Sequence, residues 1–263
     1  MNKKRTYLLI GLLTFIIGLA KFAPATLISQ YLFAKTANKL LLTNAEGTIW
    51  HGNSEVAINA DQKQAQGVNH PLIIGQIDWD IEGSRLFLGE LNIIIKWNKM
   101  EAGTLVLTSN HFSIKKLSLD LSADAISSLI SSLNVAHLGG QLHISAPSFT
   151  ISNIYKANLN LKFSGPIQLD WQQASSPLCS INPLGRYQVN FNGVNEQITI
   201  KLATLNGPLT IAGEGAWSDE NGLQFNGSAT AENSQKQSLA PLLHILGNES
   251  IEGSGYYKIN ISD

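Results

Sequence analysis

Charged residues are scarce in this sequence. Lys, Arg, Asp and Glu make up only 14% of its 263 positions, well below the usual quarter. The 18 basic and 19 acidic residues nearly cancel, so the formal net charge is -1. A nucleic-acid binder needs a concentrated basic surface, and this balance argues against nucleic acid as a partner. Hydrophobic residues still supply 44% of the chain, which argues for a folded body with a sizeable core.

Cysteine and catalytic motifs are scarce as well. Cys179 is the only cysteine, which excludes a disulfide scaffold and a zinc site built from cysteines. Motifs of zinc proteases, P-loop proteins, dinucleotide-binding proteins and serine hydrolases are all missing. Gly213-Glu214-Gly215 lacks the rest of a phosphate loop, and we expect it to mark a bulge or a turn. The sequence therefore predicts no enzyme, no catalytic residues, no metal and no cofactor.

Two small groups of residues could carry chemistry. Asp78, Asp80 and Glu82 share one face of a predicted strand, where they could bind calcium or act as acids and bases. A solvated strand face explains the three carboxylates equally well and is the interpretation that we favour. His137 and His143 could share a face and hold a metal, but glycines separate them, and we expect no metal there.

Only one long apolar run is present. It begins at Tyr7 and directly follows the basic residues at positions 3–5, which is the pattern of an export signal. Extended through Lys21 to Ala25, the run is nearly long enough to span a membrane, because the lysine can reach toward the interface. We therefore predict a transmembrane signal-anchor with span ends at Tyr7 and Ala25.

The signal could instead be cleaved, since Gly18-Leu19-Ala20 resembles a cleavage site. The positive-inside rule places the N-terminus in the cytoplasm and the body on the other side, in the periplasm of a Gram-negative bacterium. The predicted organisation is a basic tip and anchor at 1–27, a linker at 28–44 and a β-rich periplasmic domain at 45–263.

Beyond residue 45, apolar and polar residues alternate, which predicts strands with one dry face and one solvated face. This pattern favours a large antiparallel sheet, because covered parallel strands have continuous apolar runs. Turn signals occur at Asn206-Gly207-Pro208 and at Asn221-Gly222. The apolar members of the alternating segments are Leu91, Ile93, Ile95 and Trp97; Leu159, Leu161 and Phe163; Ile167, Leu169 and Trp171; Tyr187, Val189 and Phe191; Ile198, Ile200 and Leu202; and Tyr257, Ile259 and Ile261.

Two segments of the body have apolar residues at helical spacing. Ser238 is expected to cap the second helix and Gly247 to end it. Because an amphipathic strand follows each helix, the sequence indicates an internal duplication of two units, at about 45–150 and 158–263. The two helical stripes are Ile126, Leu129, Ile130 and Leu133, and Leu239, Leu242, Leu243 and Leu246.

Six patches of residues are found in a characteristic order after the apolar run, and together they resemble the type II secretion system protein N family (general secretion pathway protein N) of Gram-negative bacteria. The resemblance covers nearly the whole chain and is densest in the final third. The patches are Pro24-Ala25-Thr26-Leu27; Gly47-Thr48-Ile49-Trp50-His51-Gly52; Cys179 with Pro183-Leu184-Gly185 and Tyr187; Thr204 with Gly207-Pro208-Leu209; Gly213, Gly215 and Trp217; and Leu246-Gly247.

The resemblance implies a single-pass inner-membrane protein, an accessory component of the machine that moves folded proteins across the outer membrane. It implies partners among the other secretion components of the inner membrane and periplasm, and contact with the lipid of the cytoplasmic membrane. It supplies no catalytic residues. Structural roles are expected for Trp50 and Trp217 at strand ends, and for Gly47, Gly52, Gly213 and Gly215 at tight turns or bulges.

Two functions stay open. Two short helices cannot cover the apolar faces of so many strands, so the sheet either closes into a sandwich or half-barrel or stays a curved sheet with an exposed apolar face. The anchor, the β-rich body and the absence of catalytic motifs favour a scaffold or interaction module without catalysis. An exposed face favours a periplasmic lipid-binding or lipid-transfer protein, with an apolar lipid as its ligand.

Overall fold

Fourteen β-strands form one antiparallel sheet in the computed structural model of the protein, which describes residues 3–36, 38–59, 71–129, 137–154, 161–251 and 254–262. The strands are β1 (Leu40–Gly47), β2 (His51–Ile58), β3 (Leu72–Glu82), β4 (Glu90–Trp97), β5 (Met100–Thr108), β6 (His111–Ser122), β7 (Gly139–Ser152), β8 (Lys162–Ser175), β9 (Gly185–Asn195), β10 (Gln197–Asn206), β11 (Leu209–Ser218), β12 (Gly222–Ala231), β13 (Asn248–Glu249) and β14 (Tyr256–Ser262).

Helices lie at the N-terminus, in one turn and between two pairs of strands. They are α1 (Lys3–Lys21), α2 (Thr26–Lys35), a 3₁₀ helix (Gly83–Leu88) between β3 and β4, α3 (Ala123–Leu129) and α4 (Lys236–Leu246). Helix α3 connects β6 to β7, which are neighbours in the sheet, whereas α4 connects β12 to the short strand β13, and β14 lies between these two strands in the sheet.

The order of strands in the sheet follows the chain from β1 to β12 and ends with β14 and β13. The mainly β, antiparallel architecture predicted from the alternating pattern is therefore confirmed. Since all fourteen strands belong to a single open sheet, a sandwich of two sheets is not what these residues form. Both strand–helix–strand units lie within this one sheet, and the predicted duplication itself stays a prediction.

The alternating segments are strands where the structure describes them. Those around Ile93, Val189 and Ile200 coincide with β4, β9 and β10, and the turn at Asn206-Gly207-Pro208 joins β10 to β11. The segments around Phe163 and Leu169, read as separate in the sequence, belong to the single strand β8. Positions 158–160 lie outside the described residues.

The sheet bends over its helix-bearing face. Strands β2 and β6 are four spacings apart, which is about 19 Å across a flat sheet. Helix α3 is only about 10 Å long at seven residues, yet it contacts β2 as well as β6 and β7. The sheet must curve toward α3 for these contacts to form together, which agrees with either a half-barrel or a curved sheet.

The two body helices agree with the predicted stripes only in part. Helix α3 contains Ile126, whereas Ile130 and Leu133 lie outside the described residues. Helix α4 begins at Lys236, so Ser238 is inside the helix and the predicted N-cap is wrong; Gln235 occupies that position without a side-chain cap hydrogen bond. The predicted stop is confirmed, since the Gly247 N–H donates to the Leu243 carbonyl oxygen at 3.1 Å.

The paired glycines of β11 are not at a bulge or a turn. Gly213 and Gly215 lie within regular pairings to both β10 and β12. A Cβ at either glycine would collide with Phe225 of the neighbouring strand. Gly213 therefore needs glycine because the Phe225 ring packs across it, and Gly215 because the Gln224 carbonyl oxygen and Phe225 both approach it closely. The sequence pattern does not reveal this close packing.

The segment at 28–44, predicted as a linker, is folded onto the sheet. It contains most of α2 and the start of β1, and β1 pairs with β2 along its length. Ile28 and Leu32 of α2 pack against a core cluster that includes Leu42 and Val56. The alternation in β1 is weak, because Asn44 lies in the left-handed region and a register shift interrupts the pairing.

Helix α1 ends at Lys21, four residues before the predicted span end at Ala25. Within the described ranges, no helix combines the length and apolar content needed to cross a membrane. The predicted span from Tyr7 to Ala25 is thus not confirmed.

Candidate functional site

An apolar cavity of about 330 Å³ lies on the helix-bearing face of the sheet. Helix α3 contributes Ala123, Ile126 and Ser127 to its lining, and helix α4 contributes Leu242 and Leu246. Strands from both halves of the sheet supply the rest: Leu142, Leu169, Trp171, Tyr187, Val189, Leu202, Leu209, Ile211, Phe225, Ile259 and Ile261, with Leu138 and Leu184 from connecting segments. The volume falls at the lower end of the range for small-molecule sites.

The cavity follows from the alternating pattern. Leu169 and Trp171 are two positions apart on β8, and so are Tyr187 and Val189 on β9. Alternate side chains of a strand point to the same face, and the bend of the sheet brings these faces together beneath the helices. Part of the predicted apolar pattern thus converges on one volume, whereas Phe163 and Ile198 belong to a separate cluster. The predicted strand positions that line the cavity are Leu169, Trp171, Tyr187, Val189, Leu202, Ile259 and Ile261.

The two large aromatic residues of the wall have their polar atoms satisfied by backbone. Trp171 Nε1 donates to the Gly139 carbonyl oxygen at 3.0 Å. Tyr187 Oη lies 2.9 Å from the Leu209 carbonyl oxygen and 3.2 Å from that of Leu184. The rings of Trp171 and Tyr187 pack with centroids 5.4 Å apart. The wall therefore presents carbon to the cavity and keeps its polar atoms paired.

Burial keeps the Tyr187 hydroxyl neutral. The side chain is almost fully buried, and desolvation, with Cys179 as a smaller cause, raises the pKa of Tyr187 above its ordinary value. A phenol that stays protonated remains a hydrogen-bond donor. It joins the segment before β9 to the start of β11, so two of the family-like patches, Pro183-Leu184-Gly185 and Gly207-Pro208-Leu209, meet at this tyrosine.

Helix α4 forms the roof over the C-terminal half of the sheet. Leu239, Leu242 and Leu243 are buried, and they belong to a core cluster with Leu184 and Tyr187. The helix thereby closes one side of the cavity, while Leu142 and Ala123 belong to the cluster on the other side.

A second junction joins α1 to the sheet. Pro24 forms a β-bridge with Thr48, and the Ala25 N–H donates to the Gly47 carbonyl oxygen at 3.2 Å. Trp50 Nε1 donates to the Ala20 carbonyl oxygen at 2.7 Å. The patches around Pro24 and Gly47 are separate in the sequence but are in direct contact in the structure.

The predicted span ends therefore have different surroundings. Tyr7 is 72% exposed on α1, whereas Ala25 is 1% exposed within the junction. Trp50 precedes β2 as expected of a strand-end residue, and Trp217 near the end of β11 stacks edge-on against Phe163 with centroids 5.5 Å apart.

Two of the three acidic residues of β3, Asp80 and Glu82, form ordinary surface contacts, whereas Asp78 is half-buried and its Oδ2 has no hydrogen-bond partner among the described residues. Asp80 Oδ1 lies 3.0 Å from His51 Nδ1, with both side chains more than half exposed. Glu82 accepts a hydrogen bond from Asn92 at 3.2 Å and pairs with Arg85 at 3.5 Å. In the ranges that the structure describes, no three His, Cys, Asp or Glu side chains gather as a metal site would require.

The remaining candidates are accounted for individually. His143 Nδ1 lies 2.7 Å from Asp120 Oδ1 on the neighbouring strand, and His137 is in the turn before β7. The Cys179 thiol is half-buried and contacts the Ser176 and Ile181 carbonyl oxygens at 3.5 and 3.7 Å. Cys179 packs against the core cluster that includes Leu184 and Tyr187.

The chain belongs to a family of bacterial secretion components. Residues 38–260 match the model of the type II secretion system (T2SS), protein N family, which confirms the resemblance. The match includes every patch except Pro24-Ala25-Thr26-Leu27, which precedes it. Membership makes the chain a component of the type II secretion system and assigns it to the cell envelope. No curated protein and no solved structure matches it.

Sequence reasoning missed the residues that close the cavity from outside the strands. Leu138 and Leu184 belong to connecting segments, and Ala123 begins α3 without any apolar periodicity before it. It also passed over Leu86, Phe87 and Leu88, which lie between Gly83 and Gly89. Three consecutive apolar residues between glycines are a visible signal for an exposed apolar turn.

Proposed function

We propose that this protein is an accessory inner-membrane component of the type II secretion system that acts as a periplasmic scaffold, without catalysis. The observation that carries the proposal is the junction between α1 and the sheet. An apolar helix that is tied to the body by a β-bridge and by the Trp50 hydrogen bond can hold the whole sheet at a fixed place beside a membrane.

Helix α1 serves as the anchor in this proposal. Its apolar side chains are more than half exposed all round the helix, and a helix that is apolar on every side needs apolar surroundings. The residues at positions 3–5 are basic and would remain on the cytoplasmic side. The body would then lie in the periplasm, where the other secretion components are accessible.

The free edge of β14 is the proposed contact for a partner. Strand β14 pairs with β12 along its length, whereas β13 covers only Tyr257 and Lys258. Among the described residues, the outer side of positions 259–262 has no strand beside it. Exposed backbone groups at a sheet edge can accept a strand from another protein.

Photocrosslinking in cells that carry the secretion system tests the scaffold. A photoreactive residue in place of Asn260, which is exposed on β14, should crosslink to another secretion component. The same residue in place of Lys201, exposed in the middle of the sheet and paired with Glu214, is the control and should give no such product. Equal products at both positions, or none at either together with normal secretion in a deletion strain, would contradict the proposal.

The cavity supports lipid binding as a second candidate function. Its lining is apolar, with polar atoms of Trp171 and Tyr187 turned to backbone partners, which suits an acyl chain rather than a polar metabolite. The bend of the sheet gives such a chain a sheltered face. In this alternative the protein binds or transfers lipid in the periplasm.

Native mass spectrometry of the full chain released from detergent separates the two candidates. We expect a bound lipid in the native protein if the cavity is a lipid site. Val189→Trp would fill the cavity from β9 and remove that lipid, whereas Val194→Trp, at an exposed position of the same strand, would leave it bound. A lipid-free native protein, or equal lipid in both variants, would rule out this function.

A further inference from the structure

Three consecutive apolar side chains project from the 3₁₀ turn between β3 and β4. Leu86, Phe87 and Leu88 are 42%, 95% and 77% exposed; we call them the apolar tip. Single exposed apolar residues are common on soluble surfaces, but contiguous ones mark a contact with an apolar partner. Because Phe87 is 95% exposed, packing against the described part of the body does not account for its large apolar side chain.

The apolar tip is held in place. Arg85 pairs with Glu82 at 3.5 Å and with Glu90 at 3.3 Å, which joins the end of β3 to the start of β4. The Gly89 N–H donates to the Leu86 carbonyl oxygen at 3.0 Å, and Gly89 has a positive φ of 74°. These contacts brace the turn from within, so it presents its three side chains as a fixed group.

The apolar tip lies beside the end of α1. An open groove of about 720 Å³ separates them and is lined by Ile17 and Ala20 of α1 and by Ile81 and Leu86 of the sheet side. Phe22, which follows the helix, is 73% exposed and also lines this groove. Apolar surface therefore continues from the helix, across the groove, to the tip.

The length of α1 favours a membrane as the partner of this surface. Between the basic residue at position 5 and Lys21 there are fifteen uncharged residues at 6–20. They extend about 22 Å, short of the roughly 30 Å hydrocarbon core of a bilayer. A short span is accommodated by thinning the bilayer or by drawing flanking residues into it. If the flanking residues are drawn into the bilayer, Phe22 and the groove come into contact with lipid.

We infer that the apolar tip inserts into the interfacial layer of the leaflet from which α1 emerges, and so forms a second membrane contact. The inference rests on the proposed anchoring of α1. Lys21, whose Nζ lies 5.9 Å from the Phe22 ring centroid, is placed between helix and tip, where anionic headgroups would meet it. Two membrane contacts fix the orientation of the sheet relative to the membrane, which a single contact does not.

Fluorescence depth measurement on the full chain tests the second contact. In a Cys179→Ser background, an environment-sensitive fluorophore is attached at Phe87→Cys, and the protein is reconstituted in vesicles of phosphatidylethanolamine and phosphatidylglycerol containing nitroxide-labelled lipid. The matched control is Met100→Cys, since Met100 is 63% exposed and begins β5, directly after the turn at the other end of β4. That turn is about 23 Å from the tip along the strand.

The label at position 87 should show blue-shifted emission and several-fold quenching by the nitroxide lipid, while the label at position 100 should show neither. Adding Leu88→Asp to the Phe87-labelled chain should reverse the shift without changing the unfolding midpoint, because Leu88 is exposed. Labels at 87 and 100 that behave alike would overturn the inference.

A label at Leu13→Cys in α1 distinguishes this failure from failure of the anchor. Quenching at position 13 without quenching at 87 leaves the proposed anchoring intact and rejects the second contact. No quenching at either position rejects both. Quenching at 87 that is lost only when another secretion component is added would assign the apolar tip to a protein partner and also reject the inference.

Discussion

At the scale of single residues, Tyr187 carries the connection between two segments of the cavity wall. Tyr187→Phe removes the hydroxyl and leaves the buried carbonyl oxygens of Leu184 and Leu209 without that donor. The loss of such a bond costs about 1–3 kcal/mol, and we expect this decrease in the free energy of unfolding by urea titration. Tyr256→Phe, at an exposed position, is the control; an equal effect of both substitutions would contradict the role of the buried hydroxyl.

The same tyrosine makes stability depend on alkaline pH. Burial raises the pKa of Tyr187 in the folded state, whereas an unfolded tyrosine ionises near pH 10. Above about pH 10 the unfolded chain loses the proton that the folded chain keeps, so it binds fewer protons and the free energy of unfolding falls as pH rises. Below about pH 10 the contribution is fully present.

Tyr187→Phe should therefore flatten the alkaline decline, measured by urea unfolding between about pH 9 and 11. A residual slope is expected, because burial also raises the pKa of Tyr257, with Glu249 as a smaller cause. A decline as steep as that of the native protein would show that Tyr187 is not the residue responsible.

Particular residues also show which structural features could be predicted from the sequence. Alternation at Leu169, Trp171 and Val189 was enough to predict one dry face, since side-chain direction in a strand depends only on position. The need for glycine at Gly213 could not be predicted, because it depends on Phe225 in the next strand and so on the register of pairing.

At the scale of elements, α4 should depend on its inward face alone. Leu243 is buried against the sheet, whereas Ile245 is 47% exposed on the same helix. Leu243→Ala should lower the free energy of unfolding by about 2–5 kcal/mol, and Ile245→Ala should change it by less than about 0.5 kcal/mol. Similar losses for both would mean that α4 is not packed as a roof.

The junction of α1 with the sheet should depend on the turn at Gly47. This residue has a φ of 90°, and a Cβ there would collide with the His51 carbonyl oxygen. Gly47→Ala should cost roughly 1–2 kcal/mol for the backbone conformation alone, measured by thermal or urea unfolding. Gly83→Ala, where a Cβ would meet nothing within 4 Å, should be neutral, and a loss there of similar size would remove the explanation.

The N-terminal elements include a helix that sequence patterns could not predict. Helix α2 has no marked apolar stripe, and its N-cap residue, Ala25, forms no side-chain hydrogen bond to the helix. Neither periodicity nor capping therefore predicted this helix. Its fold depends on tertiary contacts, such as the Ser29 hydroxyl that donates to the Leu42 carbonyl oxygen at 2.6 Å. Contacts of this kind join residues that are distant in the sequence, so local patterns do not reveal them.

At the scale of the whole molecule, protection from hydrogen exchange should vary across the sheet. Amides of β8, which has a strand on each side, should exchange slowly, and those of the two-residue edge strand β13 should exchange fast. Strand β1 is also an edge, but α2 packs against it, so we expect intermediate rates there. Mass spectrometry of the full chain in detergent would measure this, and equal rates for β8 and β13 would contradict it.

The scaffold function and the lipid-carrier function make different demands on the sheet as a whole, more than on any single residue. A scaffold requires the sheet to present its edge and outer face, and a lipid carrier requires the volume beneath α3 and α4. The sequence could predict the excess of apolar faces over helical cover. It could not predict how far the sheet bends, because curvature depends on how fourteen strands twist together.

The order of the strands has a consequence for how the polypeptide acquires its structure. From β1 to β12, every strand hydrogen-bonds to the one made immediately before it, so each new hairpin can add to a template that already exists. A chain emerging lengthwise from a translocation channel could fold as it arrives, without waiting for distant partners. Only β13 departs from this sequence, since it must wait for β14.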